Sequence, residues 1–291
     1  MYWGLILSEL KVKEYLDEYF SNYPDNSALR SVAEFFLNFP DNDSDLESII
    51  GDILRGSLDE VIDMPRTNRF SLEELEKTEK TYIGTKVEIL FRDTFELKKG
   101  VKLDLMVQGH EVDVKNTIGS NWTIPIEAID EICVLLQTDD NKSLFSFGLV
   151  ICRERVLNQG KNRDGKRTIS KEGKEEILWF VKDGSLPKNF FLHMDNDTRH
   201  QILSPKGGAT RLANLFRNFQ GEVITRRLVE CVARQKDYMK RIRGNGGARD
   251  LLAPEELLIL WGGNLKDKKR LKLLGFKGIN TEHFVCIKKN T

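Results

Sequence analysis

The chain has 291 residues and 40% hydrophobic content, enough for one large domain or two ordinary ones with real cores, which excludes a disordered chain. Its net charge of zero is divided: residues 1–186 carry 24 Lys and Arg against 35 Asp and Glu, whereas residues 187–291 carry 21 against 10. Four cysteines, Cys133, Cys152, Cys231 and Cys286, lie far apart in apolar runs with no CxxC pair, which excludes a disulfide scaffold or a zinc finger and predicts buried free thiols.

The first ten residues, MYWGLILSEL, have no basic leader and reach Glu9 early. No segment approaches the roughly 20 apolar residues of a membrane span, so a cytoplasmic protein is expected. SELKVKEYLDEYF and ALRSVAEFFLNF have apolar residues at helical spacing and are separated by YPDN and FPDNDSD, whose Pro, Asp and Asn favour turns. With 13 acids against 4 bases, the first 60 residues are not expected to touch nucleic acid.

From Phe70, FSLEELEKTEK opens with Ser71 before an acidic turn, a helix-start signal, and GTKVEILFRDTFEL continues as a second helix carrying Glu88. Four strand-like runs follow: VKLDLMV (101–107), EVDVKNT (111–117), EICVLLQT (131–138) and SLFSFGLVICRERV (143–156). PIEAIDE reads as a short helix between the second and third. This order predicts an α/β (α+β) core with a mixed sheet flanked by helices. NQGKNRDGKRT (158–168) reads as a basic loop, KEGKEEILWFV as a helix, and KDGSLPKN as a connector that puts a domain boundary near Pro187.

Beyond it, ATRLANLFRNF, ITRRLVECVARQ and KDYMKRIR read as three helices, followed by glycine-rich GNGGAR and the strand-like ELLILWG. That is the pattern of a winged helix-turn-helix. From Arg226 to Arg249 eight Lys and Arg stand against two acids. The candidate DNA contacts there are Arg226, Arg227, Arg234, Gln235, Lys236, Tyr238, Lys240, Arg241, Arg243, Asn245 and Arg249, whose cations, amides and hydroxyl suit phosphates or base edges. Arg163, Lys166 and Arg167 of the basic loop are candidates for a backbone clamp, and Trp122 is expected to be buried.

The stretch LDLMVQGHEVDVKNT (103–117) holds the chemistry. A two-residue turn at Gln108 and Gly109 pairs Leu105 with Val112 and sets Asp104 opposite Asp113 on one face, with Leu103, Leu105, Val107, Val112 and Val114 on the other. Opposed like charges destabilise a sheet, so the pair calls for a shared proton or a bound cation, and hard oxygen ligands suit Mg²⁺. Lys115, two residues after Asp113, falls on the same face, where it can position and polarise an attacking water. Two carboxylates, a lysine and a divalent ion are the parts of a metal-dependent phosphodiester hydrolase. A DxK tripeptide is common, however, and an amphipathic hairpin with one solvated face also satisfies it.

LDLMVQGHEVDVK resembles the PD-(D/E)xK nuclease signature, with Asp104 as the first acid and Asp113, Val114 and Lys115 as the DxK. Further strings, KTEKTYIGTKVEI, WTIPIEAI, NRDGKR, NLFRNFQGEVITR and QKDYMKRIRGNGGAR, look like those of the NaeI-type restriction endonucleases, over about residues 57–265. The resemblance implies a PD-(D/E)xK endonuclease domain joined to a winged helix-turn-helix DNA-binding domain of the type found in catabolite activator protein. It also implies a bacterial homodimer that engages a second copy of its double-stranded recognition sequence as an effector. Glu88 matches the family's helix glutamate, which implies a catalytic, metal-binding set of Glu88, Asp104 and Asp113 with Lys115 beside it. The expected domains are a helical region at 1–60, the endonuclease at 61–186 and the DNA-binding domain at 187–291. The expected activity is Mg²⁺-dependent, site-specific cleavage of double-stranded DNA. A nicking repair nuclease for mismatched or hemimethylated sites and a non-catalytic DNA-binding regulator stand as alternatives.

Overall fold

The computed structural model describes residues 9–40, 45–235 and 237–290. The start of the chain, most of the FPDNDSD turn and the candidate Lys236 lie outside the described residues. The described residues divide into two compact units: 9–40, 45–61 and 75–188 form the first, and 62–74 and 189–290 form the second. Residues 62–74, expected within the endonuclease domain, thus cluster with the C-terminal unit, and the N-terminal helices share a unit with the sheet.

In chain order the first helices are α1 (Glu9–Asn22), α2 (Leu29–Asn38), α3 (Leu46–Ile62), the single turn α4 (Met64–Thr67) in the second unit, and α5 (Lys77–Thr94). The helix expected to open at Ser71 is instead a 3-10 turn (Leu72–Glu74). The segment read as two helices then forms the single helix α5, started by a capping box in which Glu76 and Glu79 bond each other's backbone N–H. Gly84 in its interior costs about 1 kcal/mol relative to alanine. Burial of Ile83, Val87 and Phe91, at about 2 kcal/mol each, outweighs it.

Strands β1 (Lys98–Lys99), β2 (Leu105–Val107), β3 (His110–Thr117), β5 (Ile132–Asp139), β6 (Leu144–Ile151) and β8 (Leu178–Ser185) form a mixed sheet in the order β1-β2-β3-β5-β6-β8. Only β3 and β5 run parallel. A separate ribbon pairs β4 (Thr123–Ile124) with β7 (Arg167–Thr168). PIEAIDE contributes a 3-10 turn (Ile126–Ala128). KEGKEEILWFV is not a helix: Gly173–Glu176 make a 3-10 turn, and LWFV opens β8, whose β-branched and aromatic residues complete the sheet edge beside β6. VKLDLMV is strand only from Leu105.

Strand alternation gives the sheet two faces. Val112 and Val114 share one with their partners Ile132 and Val134, where Phe36, Phe91, Phe95 and Phe147 meet edge to face, with Phe36 and Phe95 centroids 5.0 Å apart. Asp113 and Lys115 point the other way, as do their partners Cys133 and Leu135. Those two pack into a core with Trp122, Ile124, Val150, Cys152, Leu157 and Ile169. The flanking helices and central mixed sheet make the α/β core expected from the order of elements.

The second unit continues with α6 (Asn196–Leu203), α7 (Gly208–Asn218), β9 (Val223–Thr225), α8 (Arg226–Ala233), α9 (Tyr238–Ile242), α10 (Ala248–Leu252), β10 (Leu257–Trp261), α11 (Leu265–Leu273) and β11 (His283–Lys288). Its three strands form an antiparallel sheet in the order β10-β11-β9. Thr225 caps α8 by accepting from Leu228 N, and the buried Arg211 guanidinium donates to the carbonyls of Val232 and Ala233 where α8 ends. KDYMKRIR yields only the short α9, and the glycine-rich GNGGAR leads into α10. No described helix is long and apolar enough to cross a membrane.

Candidate active site

The β2–β3 hairpin turns at Gln108 and Gly109, whose φ values of 50° and 83° are the left-handed pair that a tight two-residue turn requires. It pairs Leu105 with Val112, Met106 with Glu111 and Val107 with His110, so Asp104 stands one step past the last paired residue, opposite Asp113. Beyond Leu105 the ladder is replaced by a side chain: Val114 N donates to Asp104 Oδ2 at 2.8 Å. This bond fixes one Asp104 oxygen against β3.

Asp113 is 3% exposed. Lys115 Nζ lies 2.6 Å from Asp113 Oδ2 and 3.9 Å from Asp104 Oδ2, so one ammonium bridges both carboxylates. The short approach of the Lys115 ammonium to the buried Asp113 Oδ2 is an ion pair. Burial raises the Asp113 carboxyl, Lys115 opposes it without cancelling it, and the facing Asp104 adds a shared hydrogen bond and repulsion, leaving it at about 7. For Lys115, burial pulls its affinity for a proton down, but Asp113 and Asp104 more than reverse this, so the ammonium is kept charged.

Glu88 projects from α5. Burial and then the charge of Asp104 raise its carboxyl, against Arg92, Lys99 and Lys115. Its carboxylate is 3.7 Å from Arg92 Nη1. Glu88 is therefore within electrostatic reach of the hairpin, yet among the described residues no three His, Cys, Asp or Glu side chains are gathered closely enough to hold a metal by themselves. The donor set still fits a hard divalent cation: two facing carboxylates, one of them buried, supply the one or two protein oxygens that Mg²⁺ takes when phosphate and water complete its shell.

A model of the restriction endonuclease NaeI family matches residues 37–290, which include the whole hairpin and the described residues of the second unit. The type II restriction enzyme NaeI of Lentzea aerocolonigenes is 38% identical over 216 residues, 72% of this chain and 68% of that enzyme. The chain belongs to the NaeI restriction endonuclease family.

Within this restriction endonuclease, Glu111 is a site residue that the sequence did not single out. Its carboxylate accepts from the consecutive N–H groups of Val101 (2.8 Å), Lys102 (3.3 Å) and Leu103 (2.8 Å), bonds that hold it below the ordinary carboxylate range. Those three residues wind tightly before Asp104. A Cβ at Gly100 would come within 2.4 Å of Leu103 O and 2.5 Å of Glu111 Oε2, so only glycine fits there. The signal was present in strand alternation, which puts Glu111, Asp113 and Lys115 on one face.

The basic loop divides. Arg163 and Lys166 are exposed, whereas Arg167 is 3% exposed and committed inward, donating from Nε to Asn158 O at 2.6 Å, from Nη2 to Leu157 O, and pairing with Glu154. Arg167 is thus a brace of the loop and not a free clamp. Trp122 is buried, its Nε1 donating to Leu136 O at 2.8 Å. All four cysteines are free and buried, and Cys133, behind Asp113, is held as a neutral thiol by its hydrogen bond to Cys152, by burial and by the Asp113 charge.

In the second unit Arg226 donates to Tyr238 Oη at 2.8 Å and pairs with Glu282, and Arg249 donates to Ile259 O at 3.0 Å. Both side chains, and the Tyr238 hydroxyl, serve the fold. Arg227 is half-buried and partnered. Arg234 bonds Asn68 Oδ1, Lys240 pairs with Asp237, and Gln235 accepts from Arg241, all close to the surface. Arg243 and Asn245 are exposed. The face available to a polyanion is therefore Arg234, Lys240, Arg241, Arg243 and Asn245, a subset of the residues expected from charge alone.

Proposed function

We propose that this restriction endonuclease cleaves double-stranded DNA at specific sites with Mg²⁺, using Asp104 and Asp113 as metal ligands, Glu88 as an outer carboxylate drawn in with substrate, and Lys115 as the group that orients the attacking water. The single observation that carries this is the hairpin geometry, in which one ammonium bridges two facing carboxylates, one of them buried. Such a pair, costly in an empty sheet, is matched to a cation and a phosphate oxygen.

When bound, the cation withdraws charge from the scissile phosphate and lowers the pKa of a coordinated water. Asp104, pinned by Val114 N, presents a fixed oxygen. Asp113 must be ionised to act as a ligand, and Lys115 favours that form. Set beside both carboxylates, the Lys115 ammonium would donate to the attacking water or to a phosphate oxygen and stabilise the charge that develops there.

The second unit is proposed to be a winged helix-turn-helix. Its order of α7, β9, α8, then α9 with α10, then β10 and β11, with β11 central in the sheet, supports this, and α11 is then an insertion between the two wing strands. Its DNA face is Arg234, Lys240, Arg241, Arg243 and Asn245, with α9 and α10 toward the groove. A cytoplasmic homodimer binding two copies of the recognition sequence, one as effector, completes the proposal, on the strength of family membership.

Digestion of a plasmid of known sequence tests the function. Discrete fragments that appear with Mg²⁺ and disappear with a chelator are expected. Binding without cleavage at any Mg²⁺ or Mn²⁺ concentration contradicts it, and nicked circles with no linear product contradict double-strand cleavage.

A further inference from the structure

The basic loop is held by more bonds than a solvated loop requires, yet three side chains at its tip have no partner among the described residues. Arg167 and Asn158 brace its base: Asn158 Nδ2 donates to Thr168 Oγ1 at 2.9 Å, and Arg167 closes onto Asn158 O and Leu157 O. At the tip, Asn162 Oδ1 accepts from both Asp164 N (3.0 Å) and Lys166 N (2.9 Å), and Asn162 N donates to Lys166 O. Between these anchors the exposed side chains of Arg163, Asp164 and Lys166 enter no hydrogen bond or ion pair with the described residues.

The loop also has a fixed address. Its end strand β7 pairs with β4, and Trp122, Ile124, Leu157 and Ile169 pack against Cys133 and Leu135, the ladder neighbours of Asp113 and Lys115. The ribbon is thus anchored on the sheet face from which the proposed catalytic groups project, inside the same unit.

A loop that only clamped phosphate would be cationic throughout, because a carboxylate among the cations repels the backbone. Here Asp164 stands between Arg163 and Lys166. Arginine followed by aspartate is instead the donor and acceptor set for a G·C pair in the major groove: the guanidinium fork matches guanine O6 and N7, and a carboxylate accepts from cytosine N4. Because the loop is ordered in advance, little conformational freedom is lost when it docks. We propose that Arg163 and Asp164 are specificity-determining residues that read a guanine–cytosine pair beside the scissile phosphate, with Lys166 on the backbone and Asn162 and Arg167 as positioning residues. This rests on the reading of the first unit as the DNA-cleaving domain.

The test uses the full chain and compares wild type with Arg163→Lys and Asp164→Asn on the cleaved site and on its single base-pair variants. Arg163→Lys keeps the charge and loses the fork. The expected result is a loss of about ten- to a hundredfold in cleavage of the cognate site, with lost discrimination at one G·C position and unchanged discrimination elsewhere. Asp164→Asn is expected to relax the same pair or its neighbour, and thermal midpoints should stay at the wild-type value. Wild-type preferences in both variants overturn the proposal, as does an equal loss on every sequence, which marks a phosphate clamp. Absence of wild-type cleavage overturns the nuclease function and the proposal with it. Discrete wild-type cleavage with unaltered base preference in the variants overturns the proposal alone.

Discussion

Asp113 is under opposed demands: the apolar face behind it disfavours its charge, and a cation needs that charge. Its carboxyl stands at about 7, raised from an ordinary aspartate value, so the folded protein holds a proton that the unfolded chain has released. The contribution of this group to stability is therefore complete below about pH 3.8 and is lost as pH rises through about 7. Cation binding runs the opposite way, since it requires the ionised form. At limiting Mg²⁺, cleavage is expected to rise about tenfold per pH unit up to about 7 and then level off, with the break moving to lower pH as Mg²⁺ approaches saturation. A pH profile of single-turnover rates at two Mg²⁺ concentrations checks this; a break that ignores the metal concentration contradicts it. Lys115, by contrast, stays charged across that range.

At the scale of elements, the hairpin was legible because alternation and a Gln-Gly turn each fix register, and the two agree. The clasp that aims Asp104 was not, because Glu111 acts on backbone N–H groups whose tight path at 101–103 no pattern of side chains records. Glu111→Ala is expected to raise the Mg²⁺ concentration for half-maximal cleavage about tenfold or more, the usual cost of removing support behind a ligand, with Glu111→Gln recovering part of it. A metal titration of cleavage measures this, and an unchanged titration counts against the clasp. KEGKEEILWFV misled because its acidic turn looks helical, whereas the vacant edge beside β6 decides in favour of a strand. The two-helix reading of 70–94 failed over Gly84, where packing of Val87 and Phe91 carries α5 through. A Cβ at Gly84 meets nothing within 4 Å, so Gly84→Ala is expected to stabilise the protein by about 0.5–1 kcal/mol, seen as a higher denaturation midpoint with unchanged cleavage.

Across the whole molecule, the division between an acidic and a basic body was legible by counting, and so was the kind of partner. Which cations are free was not: Arg226, Arg249 and Arg167 are held by Tyr238, a backbone carbonyl and Glu154, contacts that depend on how the intervening turns bring together partners 10 to 13 positions apart. Replacement of Lys240, Arg241 and Arg243 by alanine is expected to weaken binding on all DNA sequences alike and to flatten the slope of log affinity against log salt by about 3, whereas Arg249→Ala should act mainly on stability. An unchanged slope places the DNA face elsewhere. The central claim is that the acid pair and lysine of the hairpin perform the cleavage while other residues bind DNA. The measurement that bears on it most directly is paired binding and single-turnover cleavage by Asp113→Asn and Lys115→Ala on one DNA containing the site. Retained binding with cleavage lowered at least a thousandfold, about 4 kcal/mol of transition-state stabilisation, is the predicted result. Cleavage within tenfold of wild type by either variant contradicts it.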